Sequence, residues 1–209
     1  MINKSETFVF LDDVQVSKRS WQTRNRIKTP NGELFINIPI KKGNSRSNIN
    51  ACNILVDDRW IEQKMKTIHF SYKKAKFFDQ NINRVKYYLE TKTDNLSDFN
   101  SKIIKKICQD LEIDTEFKNS SELNSVGKKD EYLSLICKEL GHNVYLSAPG
   151  SKQYIQQGEN YFKRQAIEVK YNKYQHPSYV QQHGDFLSHL SVIDAILNIG
   201  YKNTKELIR

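Results

Sequence analysis

Long apolar runs are missing from this sequence of 209 residues: no stretch approaches the roughly 18 apolar residues of a membrane-spanning helix. The N-terminus has neither the cationic start nor the long apolar core of a secretory signal. Cysteine is scarce. Cys52, Cys108 and Cys137 are an odd set without CxxC spacing, which argues against a disulfide framework and against structural zinc. The expectation is a reduced, cytoplasmic protein with no metal site. The stock motifs are absent too. Gly127-Lys128-Lys129 lacks the upstream glycine of a Walker loop, and there is no GxGxxG, GxSxG or HExxH. No motif names a cofactor, and none belongs to a nucleic-acid reader.

What is present is enough for a globular core. Hydrophobic residues make up 38%, and Tyr and Phe are plentiful, which excludes a disordered composition. The net charge is +9. An anionic partner would account for it, but the lysines are spread along the chain rather than blocked. A biased composition therefore accounts for the charge better than nucleic-acid binding does.

Arginine is less evenly spread. Three of the eight arginines fall between Arg19 and Arg26, within the stretch FVFLDDVQVSKRSWQTRNRIK at residues 8–28. It opens with four apolar residues, the signature of a short buried strand. Asp12 and Asp13 follow, then Gln15, Arg19, Trp21, Arg24, Asn25 and Lys28. A buried strand that ends in acids and a basic, amide-rich loop is how open α/β sheets present ligand sites. Arginine's planar fork suits phosphate or carboxylate. The alternative is a solvated charged hairpin.

Further along, Thr29-Pro30-Asn31-Gly32 is a turn, and residues 34–40 alternate as a strand. A short strand is expected within 49–56. Helical periodicity covers 58–78, 82–89 and 97–111, with Asp57 or Asp58 and Ser97 as caps. Residues 115–118 form a strand, 128–140 a helix stopped by Gly141, and 144–146 a strand, together a βαβ unit. Residues 166–171 add a strand. Ser191 to Asp194 fits a capping box that opens a helix ended by Gly200. The expected fold is α/β: a mostly parallel sheet flanked by helices with a helical middle segment, one domain over residues 1–209 with a helical insertion at about 58–112.

Segments after strand ends carry the candidate chemistry: residues 12–28, 119–123 and 147–154, which would converge on one edge of a parallel sheet. A fourth segment, 174–181, is rich in Tyr, His and Gln, suited to sugars or nucleobases. In it His176 is a candidate general base, or else part of a rigid His-Pro turn.

Taken in order, FVFLDDVQVSKRSWQTRNRIKTPNG, HFSYKKAKFF, SSEL, YLSAPGSKQYI and YQHPSYVQQHGDFLSHLSVIDAILNIG resemble the WbqC-like proteins over nearly the whole chain. Members of that family sit in bacterial clusters for surface polysaccharides such as O-antigen. The resemblance implies a transferase that adds an acyl or aminoacyl group, glycyl for example, to an amino sugar. It implies roles for Asp12, Asp13 and His176 in catalysis. It implies substrate binding by Gln15, Arg19, Trp21, Arg24, Asn25, Lys28, Lys73, Ser121, Tyr154 and Gln181. Members usually carry a further strand and a Gln-Pro-x-Tyr-type loop before the aspartate strand. This sequence opens at Met1-Ile2-Asn3-Lys4 without them, and altered activity or donor use is the corresponding expectation. The expected partner is a nucleotide- or lipid-linked sugar, with the acyl or aminoacyl donor unidentified. Two rival classes remain: a non-catalytic partner in a glycan assembly complex, and a basic nucleic-acid-binding module.

Overall fold

The computed structural model describes residues 1–17, 19–152, 155 and 161–208. The chain is a mixed α/β protein that divides into two compact units, each built from two separate stretches of sequence. Unit 1 comprises Met1–Asp12 and Thr115–Gln175, and unit 2 comprises Asp13–Asp114 and His176–Arg209.

In unit 1, β1 (Thr7–Phe10) pairs in parallel with β4 (Glu116–Asn119), Thr7 opposite Glu116. Helix α4 (Lys129–Glu139) follows β4 and leads to β5 (Val144–Ser147), which pairs in parallel with β6 (Glu168–Tyr171). The expected βαβ order is thus present, but β4 and β5 are not neighbours. Gly141 ends α4 with φ of 75°, the left-handed stop that only glycine adopts at no cost. The core of unit 1 gathers Cys137, Ile155, Phe162 and Ile167, with the short helix α5 (Tyr161–Arg164) covering β5. Phe8, Phe10 and Phe117 form a second aromatic group, Phe10 stacked on Phe117 at 5.5 Å.

In unit 2, β2 (Arg24–Thr29) and β3 (Gly32–Asn37) form an antiparallel hairpin around the Pro30-Asn31 turn. The basic loop expected over 12–28 is therefore strand from Arg24 onward. Alternation puts Arg24, Arg26 and Lys28 on one face and Ile27 on the other. Helices α1 (Asp58–Tyr72), α2 (Phe78–Leu89), α3 (Leu96–Asp110) and α6 (Val192–Leu207) complete the unit. Asp57 caps α1 by accepting from Trp60 N at 2.7 Å. Asn95, rather than Ser97, caps α3; Ser97 is already the second residue of the helix and is buried. The strand expected within 49–56 is replaced by a 3-10 turn, Ile49–Ala51, and isolated bridges.

Two apolar clusters hold unit 2. One joins Val16, Cys52, Trp60, Leu96 and Phe99; the other joins Ile27, Ile68, Tyr72, Phe78, Val85 and Leu197. Gly200 breaks the helical backbone where the sequence placed its end: φ of 78° and ψ of 168° divide Val192–Leu207 into two helical pieces joined at a kink, and the Phe77 ring lies where a side chain would start. No helix among the described residues is long and apolar enough to cross a membrane.

Candidate functional site

In unit 2 the charged face of the β2–β3 hairpin carries an arginine–aromatic shelf. The guanidinium of Arg24 lies 4.4 Å from the centre of the Phe35 ring and 6.0 Å from that of Trp21. Cation–π attraction and packing hold it against the two rings. Trp21 itself is 63% exposed. Arg24 Nε is buried and has no hydrogen-bond partner among the described residues, an arrangement that costs free energy unless a ligand accepts from it.

Arg26, two residues on, is engaged on every side. Nη1 donates to Glu33 at 2.6 Å, Nε to the His189 carbonyl at 3.1 Å and Nη2 to the Ser188 carbonyl at 3.3 Å. Its Cζ lies 5.5 Å from the Trp21 ring centre. Arg26 thus fastens the 188–189 segment to the shelf.

That segment closes an aromatic group. The His176 ring lies 5.0 Å from His189, 5.6 Å from Phe186 and 6.3 Å from Tyr179. His176 Nδ1 donates to the Pro177 carbonyl at 3.0 Å. This fixes the tautomer of the neutral ring and makes Nε2 its basic nitrogen. His183 and His189 both adopt left-handed backbone, φ 65° and 58°, a conformation held in place by the contacts around them.

Beneath lies a buried polar network. Asp194, at 0% exposure, accepts from Tyr72 Oη at 2.7 Å, Tyr179 Oη at 2.7 Å and Gln181 Nε2 at 3.0 Å. Burial pushes its carboxyl pKa up against those bonds. Burial, reinforced by the Asp194 charge, also pushes the Tyr72 phenol up. Lys28, 3% exposed, donates to Gln181 Oε1 at 3.3 Å, to the Gly184 carbonyl at 3.2 Å and to the Asp185 carbonyl. Gln181 completes the clamp by bonding both N–H and C=O of Leu187. Residues 181–187 are therefore held by side chains, Lys28 and Gln181 with Gln182 and His183, which bonds the Ser71 carbonyl at 2.6 Å, in place of strand pairing.

In unit 1 the candidates meet at the end of β1. Asp12, 4% exposed, accepts from Ser121 N at 2.9 Å, Ser121 Oγ at 2.8 Å and Ser120 Oγ at 3.1 Å. Its own N–H donates to Ser120 Oγ. Asp12 thus braces the turn after β4. After β5, Ser151 Oγ donates to the Ala148 carbonyl at 2.7 Å, so the buried Ser147 hydroxyl donates to Ser151 at 2.5 Å.

The remaining predicted residues scatter. Gln15 Nε2 donates to the Arg46 carbonyl at 2.9 Å and anchors the following loop. Asn25 is exposed and accepts from Arg26 N. Arg19 is exposed with φ of 53°, and Asp13 is half-buried in a bend. Lys73 is exposed at the end of α1 and bonds none of the other candidates. Tyr154 lies outside the described residues. The structure brings together Trp21 with Arg24, Lys28 with Gln181, and Asp12 with Ser121.

Sequence reasoning missed Phe35, Arg26, Tyr72, Tyr179 and Asp194 as site members. The alternation of Arg24, Arg26 and Lys28 could have revealed the first two. Asp194 reads as the end of a capping box, yet the Ser191 side chain makes no cap bond and the Asp194 carboxylate turns inward.

No solved structure matches this chain. An "Uncharacterized protein Rv1507c" of Mycobacterium tuberculosis is 31% identical over 198 residues, 93% of this chain and 84% of that relative. The profile of the WbqC-like protein family matches residues 1–206. The chain therefore belongs to the WbqC-like protein family, a membership that ties it to polysaccharide-related biosynthesis.

Proposed function

We propose that the protein is a transferase of surface-polysaccharide synthesis of the O-antigen type, moving an acyl or aminoacyl group such as glycyl onto the amino group of a nucleotide- or lipid-linked sugar. The observation that carries this reading is Arg24: a guanidinium packed against Phe35 and Trp21, with a buried Nε that has no acceptor among the described residues. A phosphate or carboxylate supplies that acceptor, and the exposed Trp21 face suits a base or sugar ring.

In this reading Arg24, with Arg19, holds the anionic part of the sugar substrate. Asp13 or His176 Nε2 takes the proton that the amine loses as its nitrogen attacks the acyl carbon and the donor's leaving group departs. Asp12 and Lys28 act as braces, which fits their burial and their full sets of bonds.

The test is a thermal-shift titration with a uridine diphosphate amino sugar. Wild type is stabilised, and Arg24→Ala and Trp21→Ala each lose most of the shift without losing their own melting transition. Equal shifts in wild type and Arg24→Ala remove the shelf from the site.

A further inference from the structure

We infer that the outer face of α1 is a docking surface for an anionic lipid bilayer. The helix turns Ile68 and Tyr72 into the core, both 0% exposed. On the opposite side, at alternating spacings of four and three, stand Arg59, Gln63, Lys66, Phe70 and Lys73, all exposed. Lys73 continues the helical backbone at the C-cap, and the exposed Lys74 follows it. From Arg59 to Lys73 the stripe is about 21 Å long.

Phe70, in this stripe, is 64% exposed. A single exposed apolar side chain is ordinary on a protein surface; what distinguishes Phe70 is the cations around it. Arg59, Lys73 and Lys74 have no ion pair among the described residues. Glu62, the acid beside the stripe, lies 2.7 Å from Lys66, and both are well exposed, so water screens that pair.

Charge is also segregated between the units. Unit 2 holds 23 Lys and Arg against 15 Asp and Glu, while unit 1 holds 10 against 9. The net charge of +9 therefore belongs almost wholly to the unit that carries α1. The even spread of lysine along the sequence hides this, because each unit is built from two separate stretches.

The geometry selects the partner. α1 packs on α2 and on β2, so only its outermost stripe is free to touch anything, and a groove of a nucleic acid cannot take the helix in. The surface it meets has to be flat, to carry negative charge and to accept an aromatic ring. A bilayer rich in anionic lipid offers all three. Its headgroup charge comes within a Debye length of the lysines, and its headgroup–acyl boundary receives the Phe70 ring. Lysine stems keep the ammonium groups at headgroup level while the ring goes deeper. The face shares no residue with the Arg24 shelf. It gives a role to Lys73, which stands apart from the other candidate residues.

The test is co-sedimentation of the intact protein with vesicles of pure phosphatidylcholine and with vesicles containing one-third phosphatidylglycerol. The protein binds the anionic vesicles at least tenfold more tightly, and half-molar salt removes the difference. Each lysine lost near the surface costs about fivefold. Lys73→Gln with Lys74→Gln thus lowers binding roughly twentyfold, with an unaltered melting temperature. Phe70→Trp adds, on the anionic vesicles, a blue-shifted emission that brominated lipid tails quench. Equal binding to both vesicles, or none, overturns the inference, as does full binding by the double variant. A Phe70→Trp emission that brominated tails leave unquenched also overturns it. Tighter binding to polyglutamate or to single-stranded RNA, lost in the double variant, overturns it too, by assigning the face to an acidic protein or a nucleic acid.

Discussion

Replacing Asp12 tests the division of labour between the paired acids most directly. Its carboxylate receives three hydrogen bonds, two of them from Ser121, which is exposed, and one from Ser120, which is 1% exposed. A bond to a charged acceptor contributes about 1.5–3 kcal/mol, but donors that reach water recover most of that when the acceptor is removed. The Ser121 donors reach water; the Ser120 hydroxyl does not. Asp12→Ala should therefore cost about 2–3 kcal/mol, a fall of roughly 4–12 °C in melting temperature for a chain of this size. Asp12→Asn keeps one acceptor oxygen, and the Ser121 hydroxyl can turn to accept from the new amide, so its cost should be about 1 kcal/mol. Thermal and urea melts of both variants, with Ser120→Ala and the double mutant, give the coupling directly. A coupling near 1 kcal/mol is expected for groups in one buried network. An Asp12→Ala protein melting within about 2 °C of wild type would refute the reasoning. So would purely additive effects of Asp12→Ala and Ser120→Ala.

Three further outcomes follow from the same geometry. Asp194 has its folded pKa raised by burial. Its favourable contribution is full below the unfolded carboxylate value of about 3.9 and is lost as pH rises through the folded value. The stability of wild type relative to Asp194→Asn should thus decline from about pH 4 upward and then level off; melts between pH 4 and 8 that differ by a constant contradict this. Lys28→Met should release the 181–187 segment, raising amide exchange at Leu187 more than tenfold while costing only about 1–2 kcal/mol overall; unchanged exchange there would mean that the bonds of Gln181, Gln182 and His183 hold the loop without Lys28. Gly200→Ala should lower stability by about 1–3 kcal/mol, since its φ is 78° and a Cβ would meet the Phe77 ring at 2.9 Å; an unaltered melting temperature would show that the kink adapts.

The helices were the most legible part of the fold. Apolar residues at helical spacing in α1, α3 and α4 and the cap at Asp57 carry their own local signal. β1 and β5 were legible as short apolar runs, β6 as an alternation of charged and apolar residues, and β4 as a short candidate around Phe117. β2 was not: Arg-Asn-Arg-Ile-Lys holds a single apolar residue, because its other face serves the shelf. Period-two hydrophobicity vanishes where a strand presents charge on its outer face. The two units were also invisible. Their boundaries fall at Asp12/Asp13, Asp114/Thr115 and Gln175/His176, and none has the composition of a linker, since discontinuous units are joined by pairings distant in sequence. The same distance hid Tyr72 from Asp194, while Trp21 and Arg24 were found because they are near neighbours.

The threading of the chain has a consequence for how the protein is made. β1 leaves the ribosome well before its mate: its partner Glu116 comes 109 residues after Thr7. At about 5–20 residues per second, an aromatic strand waits roughly 5–20 s for its mate. Tyr72 waits still longer in sequence, 122 residues, for Asp194. Early helices can form and pack meanwhile, but the closing events in both units depend on late synthesis. During that interval Phe8-Val9-Phe10 is an uncovered edge open to pairing with any neighbouring chain. The separation of the partners in sequence thus makes translation speed, beside the stability of the finished fold, a determinant of how much chain folds before it meets a neighbour.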